Sequence, residues 1–377
     1  MQDNELTRGK QHLIKKEMSI GSTESFQRVS ELDLLRFAAA MMVVFFHYAF
    51  RGYAADNLSP VAYPELASLA QYGYLGVHLF FMISGFVILM TASSGDLRKF
   101  VISRATRLFP AFWFSCTLTF LVILMFGEPQ FSATLKQYLI NLTMLAEFVD
   151  VPLIDGVYWT LTIELKFYAM IALVLALGRI NSIEKIFIVW LAATLVLDVF
   201  PSWSLSRAII AGQAQFFVAG AVCFLIYHRG TSLPRVLTLV ACWAIAIYRE
   251  LVGLHWFLET YHSQLNPIVV ATLISLFFAI MTLVAFRRTG FVGRRNWIAM
   301  GALTYPLYLI HQNIGFIIFQ RTNGQVNRYL LLVMIIVAML TLAFFVHAFV
   351  EKKLARVLKR LLQSAFDPHR MGPKATT

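Results

Sequence analysis

Long apolar stretches, separated by short polar segments, run through most of the chain. Ten of them are long enough to cross a bilayer, which takes about 20 helical residues. These stretches lie at about residues 32–50, 72–93, 106–126, 158–178, 184–200, 207–228, 234–250, 267–286, 299–319 and 329–350. The pattern predicts an all-α, polytopic bundle of about ten transmembrane helices. Residues 131–149 are amphipathic instead, which predicts an interfacial or re-entrant segment.

Composition and the flanking segments support a single membrane domain. The chain has 377 residues, of which 59% are hydrophobic and 14% are charged, whereas a soluble domain carries about 25% charged residues. We predict a polar cytoplasmic tail over residues 1–30, a membrane domain over 31–350 and a basic cytoplasmic tail over 351–377. Within the last tail, residues 351–363 predict a basic amphipathic helix on the inner membrane surface.

The distribution of basic residues predicts which way the bundle is oriented. If both termini are cytoplasmic, 25 of the 32 Lys and Arg residues lie in cytoplasmic segments or at the cytoplasmic ends of helices. This asymmetry follows the positive-inside rule. The net charge of +12 is therefore explained by topology and by contact with membrane lipid, so we expect no nucleic-acid partner.

Arg36 and His47 interrupt the first apolar stretch, 32-LDLLRFAAAMMVVFFHYAF-50. They are eleven residues apart, which is about three helical turns and about 16 Å of rise, so both lie on one face. Ionisable groups within a membrane helix are costly, and two on one face predict a functional surface. The alternative for Arg36 is a side chain that only extends to the interface.

Two further ionisable residues are predicted at a similar depth to His47. Glu164 and His311 belong to two other apolar stretches, and the predicted topology places all three residues in the outer half of the membrane. A histidine base with an orienting acid suits general acid–base catalysis, so we predict a catalytic cluster. Zinc is an alternative for two His and one Glu, but no HExxH-like spacing occurs, and we expect no metal.

Arg104 and Arg107, in 103-SRATRLFP-110, are predicted on one helical face near the cytoplasmic side. Paired guanidinium groups suit phosphate, and Arg36 is predicted at the same depth. Roughly 16–20 Å of helix rise separates this cluster from His47, about the length of a pantetheine arm. A nucleotide thioester could therefore span the two places. The alternative is that both arginines are ordinary cytoplasmic charge.

Five motifs, taken in order, resemble those of the acyltransferase 3 family of integral membrane O-acyltransferases. They are 32-LDLLRFAAAMMVVFFH-47, 73-GYLGVHLFFMISGF-86, 104-RATR-107, 159-WTLTIELKFY-168 and 304-TYPLYLIH-311. The resemblance covers nearly the whole chain. It implies transfer of an acyl group, usually acetyl, from acyl-CoA to a hydroxyl of a surface or exported glycan or a lipid-linked saccharide.

The resemblance also implies roles for individual residues. His47 would be the essential base, and Arg36, Arg104 and Arg107 would bind the acyl-CoA donor. No cofactor would be bound permanently, and the location would be the bacterial cytoplasmic (inner) membrane. Many relatives carry a further extracytoplasmic domain, so this chain would act without one or with a separate partner. The resemblance does not imply an oligomeric state.

Ser84, Trp159 and Tyr168 belong to these motifs and are predicted to contribute to packing or to substrate contacts. For Ser84, a small-residue packing notch between helices is the first interpretation, and a nucleophile is the alternative. His78 has no predicted role. A transporter or flippase that uses the buried charges for binding is the alternative function, although internal repeats typical of many transporters are not evident. A non-catalytic membrane scaffold is a third.

Overall fold

The computed structural model describes residues 28–55 and 57–366, and all regular secondary structure within them is helical. Ten long helices follow one another along the chain. They are α1 Ser30–Ala54, α2 Pro64–Ala92, α3 Leu97–Phe126, α4 Gly156–Ala176, α5 Ile180–Val199, α6 Ala214–Arg229, α7 Leu233–Tyr261, α8 Pro267–Ala285, α9 Ile298–Thr322 and α10 Arg328–Phe345. A π-helical turn, Val346–Glu351, joins α10 to α11, Lys352–Phe366.

The ten predicted apolar stretches correspond to α1 through α10, which confirms the all-α, multi-pass bundle. Eight helices among the described residues are long and apolar enough to cross a membrane by length and composition. The other two are α6, which has only 16 residues, and α9, which buries several polar side chains. The side of the membrane on which the termini lie stays a prediction.

The helix α6 is the buried centre of the bundle, packed against α2, α5, α7 and α8. Its contact with α2 is close because glycines lie on both surfaces. A Cβ added to Gly220 would lie 1.7 Å from the Met82 carbonyl oxygen, and one added to Gly85 would lie 2.0 Å from that of Phe217. Small residues that let backbones approach are typical of membrane helix pairs. The 84-SGF-86 turn is therefore a packing notch at Gly85.

A second group of helices forms around α9, which packs against α1, α3 and α10. The side chains of Thr304, His311, Gln312 and Asn313 on α9 are all buried. Burial of polar groups requires partners, since each unsatisfied group is costly. The Tyr48 hydroxyl of α1 donates to the His311 carbonyl oxygen at 2.6 Å, which fixes α1 and α9 side by side.

The segment between α3 and α4 folds back into the protein. It contains a short helix, Leu135–Asn141, and a 3₁₀ turn, Ala146–Val149. The Asn141 amide donates to the Pro152 carbonyl oxygen at 3.0 Å and accepts from the Ile154 backbone N–H at 3.0 Å. These bonds close the segment on itself. The side-chain amide of Asn313 on α9 donates to the Ile154 carbonyl oxygen at 2.9 Å, which holds the segment against α9 before α4 begins.

The predicted amphipathic helix in the C-terminal tail is confirmed as α11, which packs along α3. Arg98 of α3 donates to the Gln363 carbonyl oxygen at 3.1 Å. The predicted tails include residues 1–27 and 367–377, which lie outside the described residues.

Candidate active site

A cavity of about 100 Å³ lies between α1, α2, α3, α4 and α9. Its charged and hydroxyl-bearing lining includes residues from each of these helices. Six of the predicted site residues meet there: Arg36, Ser84, Arg104, Arg107, Glu164 and Tyr168. The three arginines are therefore together, as the sequence predicted.

Arg36 and Arg104 keep donor capacity available to the cavity. Arg36 Nη1 lies 3.6 Å from Asp33 Oδ1, which is too long for a strong hydrogen bond. Arg104 donates from Nη2 to the Thr91 hydroxyl at 3.1 Å. Its Nε is buried and has no acceptor among the described residues. Buried donors usually have an acceptor, so this N–H is a candidate for contact with a bound molecule.

Arg107 differs because it has a short ionic partner. Its Nη1 donates to Glu351 Oε1 at 2.6 Å, and the second oxygen, Oε2, lies 2.8 Å from His347 Nδ1. The guanidinium carbon, Cζ, also lies over the Tyr305 ring, 5.4 Å from its centroid. Sequence reasoning missed Glu351, because it assigned that residue to the C-terminal tail.

Glu164 lines this cavity, and its predicted place beside the two histidines was wrong. The Ser84 hydroxyl donates to Glu164 Oε1 at 2.9 Å, and the Tyr168 hydroxyl donates to the same oxygen at 2.8 Å. The carboxylate thus brings one negative charge to the three arginines. His47 and His311 do not line the cavity.

The reason for this error is the depth at which α4 begins. Ile154 and Asp155 are already buried before α4 starts, and Val157 and Tyr158 are buried in its first turn, so Glu164 lies deeper than counting from the end of the apolar stretch suggests. The loop itself reaches the level of the histidines on α9. The position at which α4 begins, rather than the helical period, therefore determines the depth of Glu164.

Asp155 is the acidic residue near that level. Its carboxylate accepts from the Asn313 backbone N–H at 3.0 Å and from the Val157 N–H at 3.2 Å. Asp155 lies just before α4, and burial raises its pKa to about 7. Sequence reasoning missed it, although an acidic residue four positions before 159-WTLTIE-164 is a visible signal.

His47 and His311 form a buried pair, as predicted. The His311 Nε2 and His47 Nδ1 atoms are 3.1 Å apart. His311 Nδ1 lies 2.8 Å from the Tyr308 carbonyl oxygen, and His47 Nδ1 lies 2.8 Å from that of Val43. A carbonyl only accepts, so both Nδ1 atoms carry the proton in the neutral pair. The lone pair of His47 is then on Nε2, in the tautomer of a general base.

A π-helical turn, His47–Arg51, presents His47 at the end of the regular part of α1. Such turns occur frequently at functional sites. Arg51 closes the turn, and its Nη1 is buried without an acceptor among the described residues. The side chain of Gln312 lies beside His47. Further polar groups are therefore close to the pair.

The cavity and the histidine pair are connected by α1 and α9. Arg36 lies on the cavity and His47 lies about 16 Å further along α1 by helix rise. On α9, Tyr308 lines the cavity, while its carbonyl oxygen accepts from His311 in the following turn. Tyr308 and His311 thus place the cavity and the histidine pair on successive turns of α9.

Residues 29–348 match the family model Acyl_transf_3, described as an acyltransferase domain. The chain belongs to the acyltransferase 3 family.

Two curated proteins show the range of this similarity. Nodulation protein 10 of Rhizobium leguminosarum bv. viciae is 29% identical over 170 residues, which is 40% of this chain and 45% of that protein. The O-acetyl transferase of Shigella phage Sf6 is 28% identical over 244 residues, 57% of this chain and 69% of the phage protein. The chain thus spans less than half the length of the nodulation protein. No solved structure matches the chain.

Two residues singled out in the sequence lie away from the cavity of this family member. Trp159 begins the helical part of α4, is 38% exposed and packs edge-on against Phe81. His78 stacks on Phe216 at a centroid distance of 4.3 Å, and its Nε2 lies 2.9 Å from Glu250 Oε1. His78 therefore joins α2 to α7 rather than contacting the arginines.

Proposed function

We propose that this chain is a membrane O-acyltransferase. It moves an acyl group, with acetyl as the expected group, from cytoplasmic acyl-CoA to a hydroxyl of a surface or exported glycan. Membership of the acyltransferase 3 family supports the reaction class. The similarity to a protein named O-acetyl transferase supports acetyl and an oxygen acceptor.

The proposal rests on one observation. Two chemically different sites, the arginine-lined cavity and the histidine pair, lie on the same two helices, α1 and α9. The arginine-lined cavity suits the phosphates of a nucleotide thioester, because guanidinium groups bind phosphate with directed hydrogen bonds. About 16 Å further along α1, the histidine pair suits proton transfer. A pantetheine arm is long enough to bridge these places.

The positions of the charged residues orient the donor in this proposal. The phosphates would lie at Arg36, Arg104 and Arg107, which line the cavity, because guanidinium groups bind phosphate with directed hydrogen bonds. The arm would run from there past Tyr308. The acyl carbonyl would then lie at the histidines.

His47 would act as the base in the transfer step. Its Nε2 takes the proton of the acceptor hydroxyl as the oxygen attacks the thioester carbonyl carbon. The new carbon–oxygen bond forms, the carbon–sulfur bond breaks, and the proton passes to the leaving sulfur. The products are the ester and free CoA thiol. Base catalysis of this kind typically contributes about 10²–10⁴-fold.

Two measurements test the proposed function. Purified protein in detergent should release CoA thiol from acetyl-CoA, faster when an acceptor glycan is added. Mass spectrometry of surface glycans should show one acetyl substitution that disappears when the gene is deleted. An unchanged glycan profile, together with unchanged acetyl-CoA, would contradict the proposal. Glycan or ion uptake into proteoliposomes would then favour the transporter.

The orientation of the site has its own test. In cells, an impermeant thiol reagent should label a cysteine placed at Gly324, in the turn between α9 and α10, from outside. A cysteine placed at Phe291, between α8 and α9, should react only after the membrane is opened. The reverse pattern would place the arginines on the outer side, away from cytoplasmic acyl-CoA.

A further inference from the structure

Glu351 contacts a residue of the cavity although it lies outside the part of the chain that matches the family model. The family match ends at residue 348, and Glu351 ends the π-helical turn between α10 and α11. The chain separation between Glu351 and its partner Arg107 is 244 residues. We propose that Glu351 is a positioning residue that orients Arg107 toward the acyl-CoA donor, an inference that rests on the proposed function.

The contacts of Arg107 restrict its guanidinium in two directions. Glu351 Oε1 accepts from Nη1 at 2.6 Å, and the guanidinium carbon lies over the Tyr305 ring, 5.4 Å from its centroid. A guanidinium has five N–H donors in a rigid planar fork. Nη1 faces Glu351, and the same side chain lines the cavity, so its other donors can turn toward a bound phosphate.

Glu351 is itself held firmly, which favours an anchor over a competitor for the donor phosphate. The residue is 7% exposed, and its second carboxylate oxygen lies 2.8 Å from His347 Nδ1. If phosphate replaced this carboxylate on Arg107, a buried charge would lose its partner, which is strongly unfavourable. The geometry therefore keeps the ion pair intact while the donor binds.

This arrangement also links the C-terminal helix to the donor site. Glu351 immediately precedes α11, whose far end is attached to α3 through the bond from Arg98 to the Gln363 carbonyl oxygen. Arg107 lies on α3 as well. The tail thus contacts the donor-binding helix at two places, and the first of them is the ion pair of Arg107.

Kinetics with acetyl-CoA test the inference. We expect Glu351→Ala to raise the KM for acetyl-CoA about tenfold, since one charge-assisted hydrogen bond that orients a ligand contact is lost. The kcat should stay within about twofold of wild type, because the histidine pair is unaffected. Glu351→Gln keeps the shape and an acceptor oxygen, so it should show a smaller increase. Glu351→Gln also tests the inference if the alanine variant folds poorly.

A double-mutant cycle separates positioning from general stabilisation. If Glu351 acts only through Arg107, the variant Arg107→Ala/Glu351→Ala should bind the donor no worse than Arg107→Ala alone. The matched control is Glu184→Ala, which removes the partner of Arg235 from an ion pair of 2.7 Å outside the cavity. It should leave the KM for acetyl-CoA unchanged.

Equilibrium binding of acetyl-CoA distinguishes a failure of the positioning role from a failure of the proposed function. If wild type binds acetyl-CoA and both Glu351 variants bind it equally well, the positioning role is wrong and the proposed function stands. Tighter binding by Glu351→Ala would also overturn it, because Glu351 would then compete with the donor. If wild type does not bind acetyl-CoA at all, the proposed function fails, and the inference fails with it.

Discussion

The arginine-lined cavity and the histidine pair share α1 and α9 but differ in how their polar groups are satisfied. In the cavity, Arg36 and Arg107 have carboxylate neighbours, and Arg104 retains a buried N–H without an acceptor. The histidines instead contact backbone carbonyl oxygens and each other. The first arrangement supplies charge that a mobile anion can reach, whereas the second fixes a tautomer.

This difference suggests a division of labour. A charged cavity stabilises a bound donor in both the ground state and the transition state, so its loss should appear mainly in KM. A positioned base acts as the proton moves, so its loss should appear in kcat. The predictions below use that separation, from the largest expected effect to the smallest.

Replacement of the proposed base should have the largest effect. We expect His47→Ala to lower kcat for acyl transfer by about 10²–10⁴-fold, with a nearly unchanged KM for acetyl-CoA. His255→Ala is a suitable control, because that side chain is 78% exposed and pairs with Glu259 of its own helix. A His47 variant that expresses well and keeps near-normal kcat would show that the base is elsewhere.

Loss of the guanidinium fork should have the next largest effect, and this effect should appear in KM rather than in kcat. Arg36→Lys keeps the positive charge but loses the planar donor geometry. One charge-assisted hydrogen bond corresponds to about 1.5–3 kcal/mol, so we expect KM to rise about 10- to 150-fold. If Arg36 only anchors the helix at the interface, lysine should serve equally well, and KM should stay at the wild-type value.

Neutralising the carboxylate in the cavity should have an intermediate effect. In Glu164→Gln, an amide replaces the acceptor shared by the Ser84 and Tyr168 hydroxyl groups. We expect kcat/KM to fall about tenfold, together with a lower melting temperature, because hydrogen bonds to a charged group are lost. A loss of activity at unchanged melting temperature would instead indicate that Glu164 contacts the substrate directly.

Ser84 should have the smallest effect. Its hydroxyl donates one hydrogen bond at 2.9 Å to Glu164, while the close approach of α2 and α6 depends on the neighbouring Gly85. We expect Ser84→Ala to lower kcat/KM only a few-fold, about the effect of one net hydrogen bond. A loss as large as that of His47→Ala, with a covalent acyl-serine detected by mass spectrometry, would restore the nucleophile interpretation.

The sequence predicted what depends on helical period and on local motifs. The spacing of Arg104 from Arg107 placed both on one helical face, and both line the cavity. The spacing of Arg36 from His47 placed them about three turns apart on α1, and the roles of these residues stay predictions. The predicted topology placed His47 and His311 at a similar depth in two different spans, and the two side chains pair in the structure. The apolar pattern also identified all ten long helices.

The remaining features depend on tertiary contacts that no local pattern reveals. The buried segment before α4 places Glu164 at the arginines and brings Asp155 to the level of His311. Glu351 reaches Arg107 across 244 residues, because the π-helical turn after α10 directs it back toward α3. The contacts of Glu164 thus depend on the depth at which α4 begins, and those of Glu351 depend on the direction of the turn after α10.

Direct binding of radiolabelled acetyl-CoA to purified His47→Ala and Arg36→Ala variants tests the central claim most directly. The account predicts that His47→Ala binds the donor with the wild-type Kd while failing to transfer the acyl group. Arg36→Ala should bind at least about tenfold more weakly. Weak binding by the histidine variant, or wild-type binding by the arginine variant, would contradict the separation of donor recognition in the cavity from chemistry at the histidine pair.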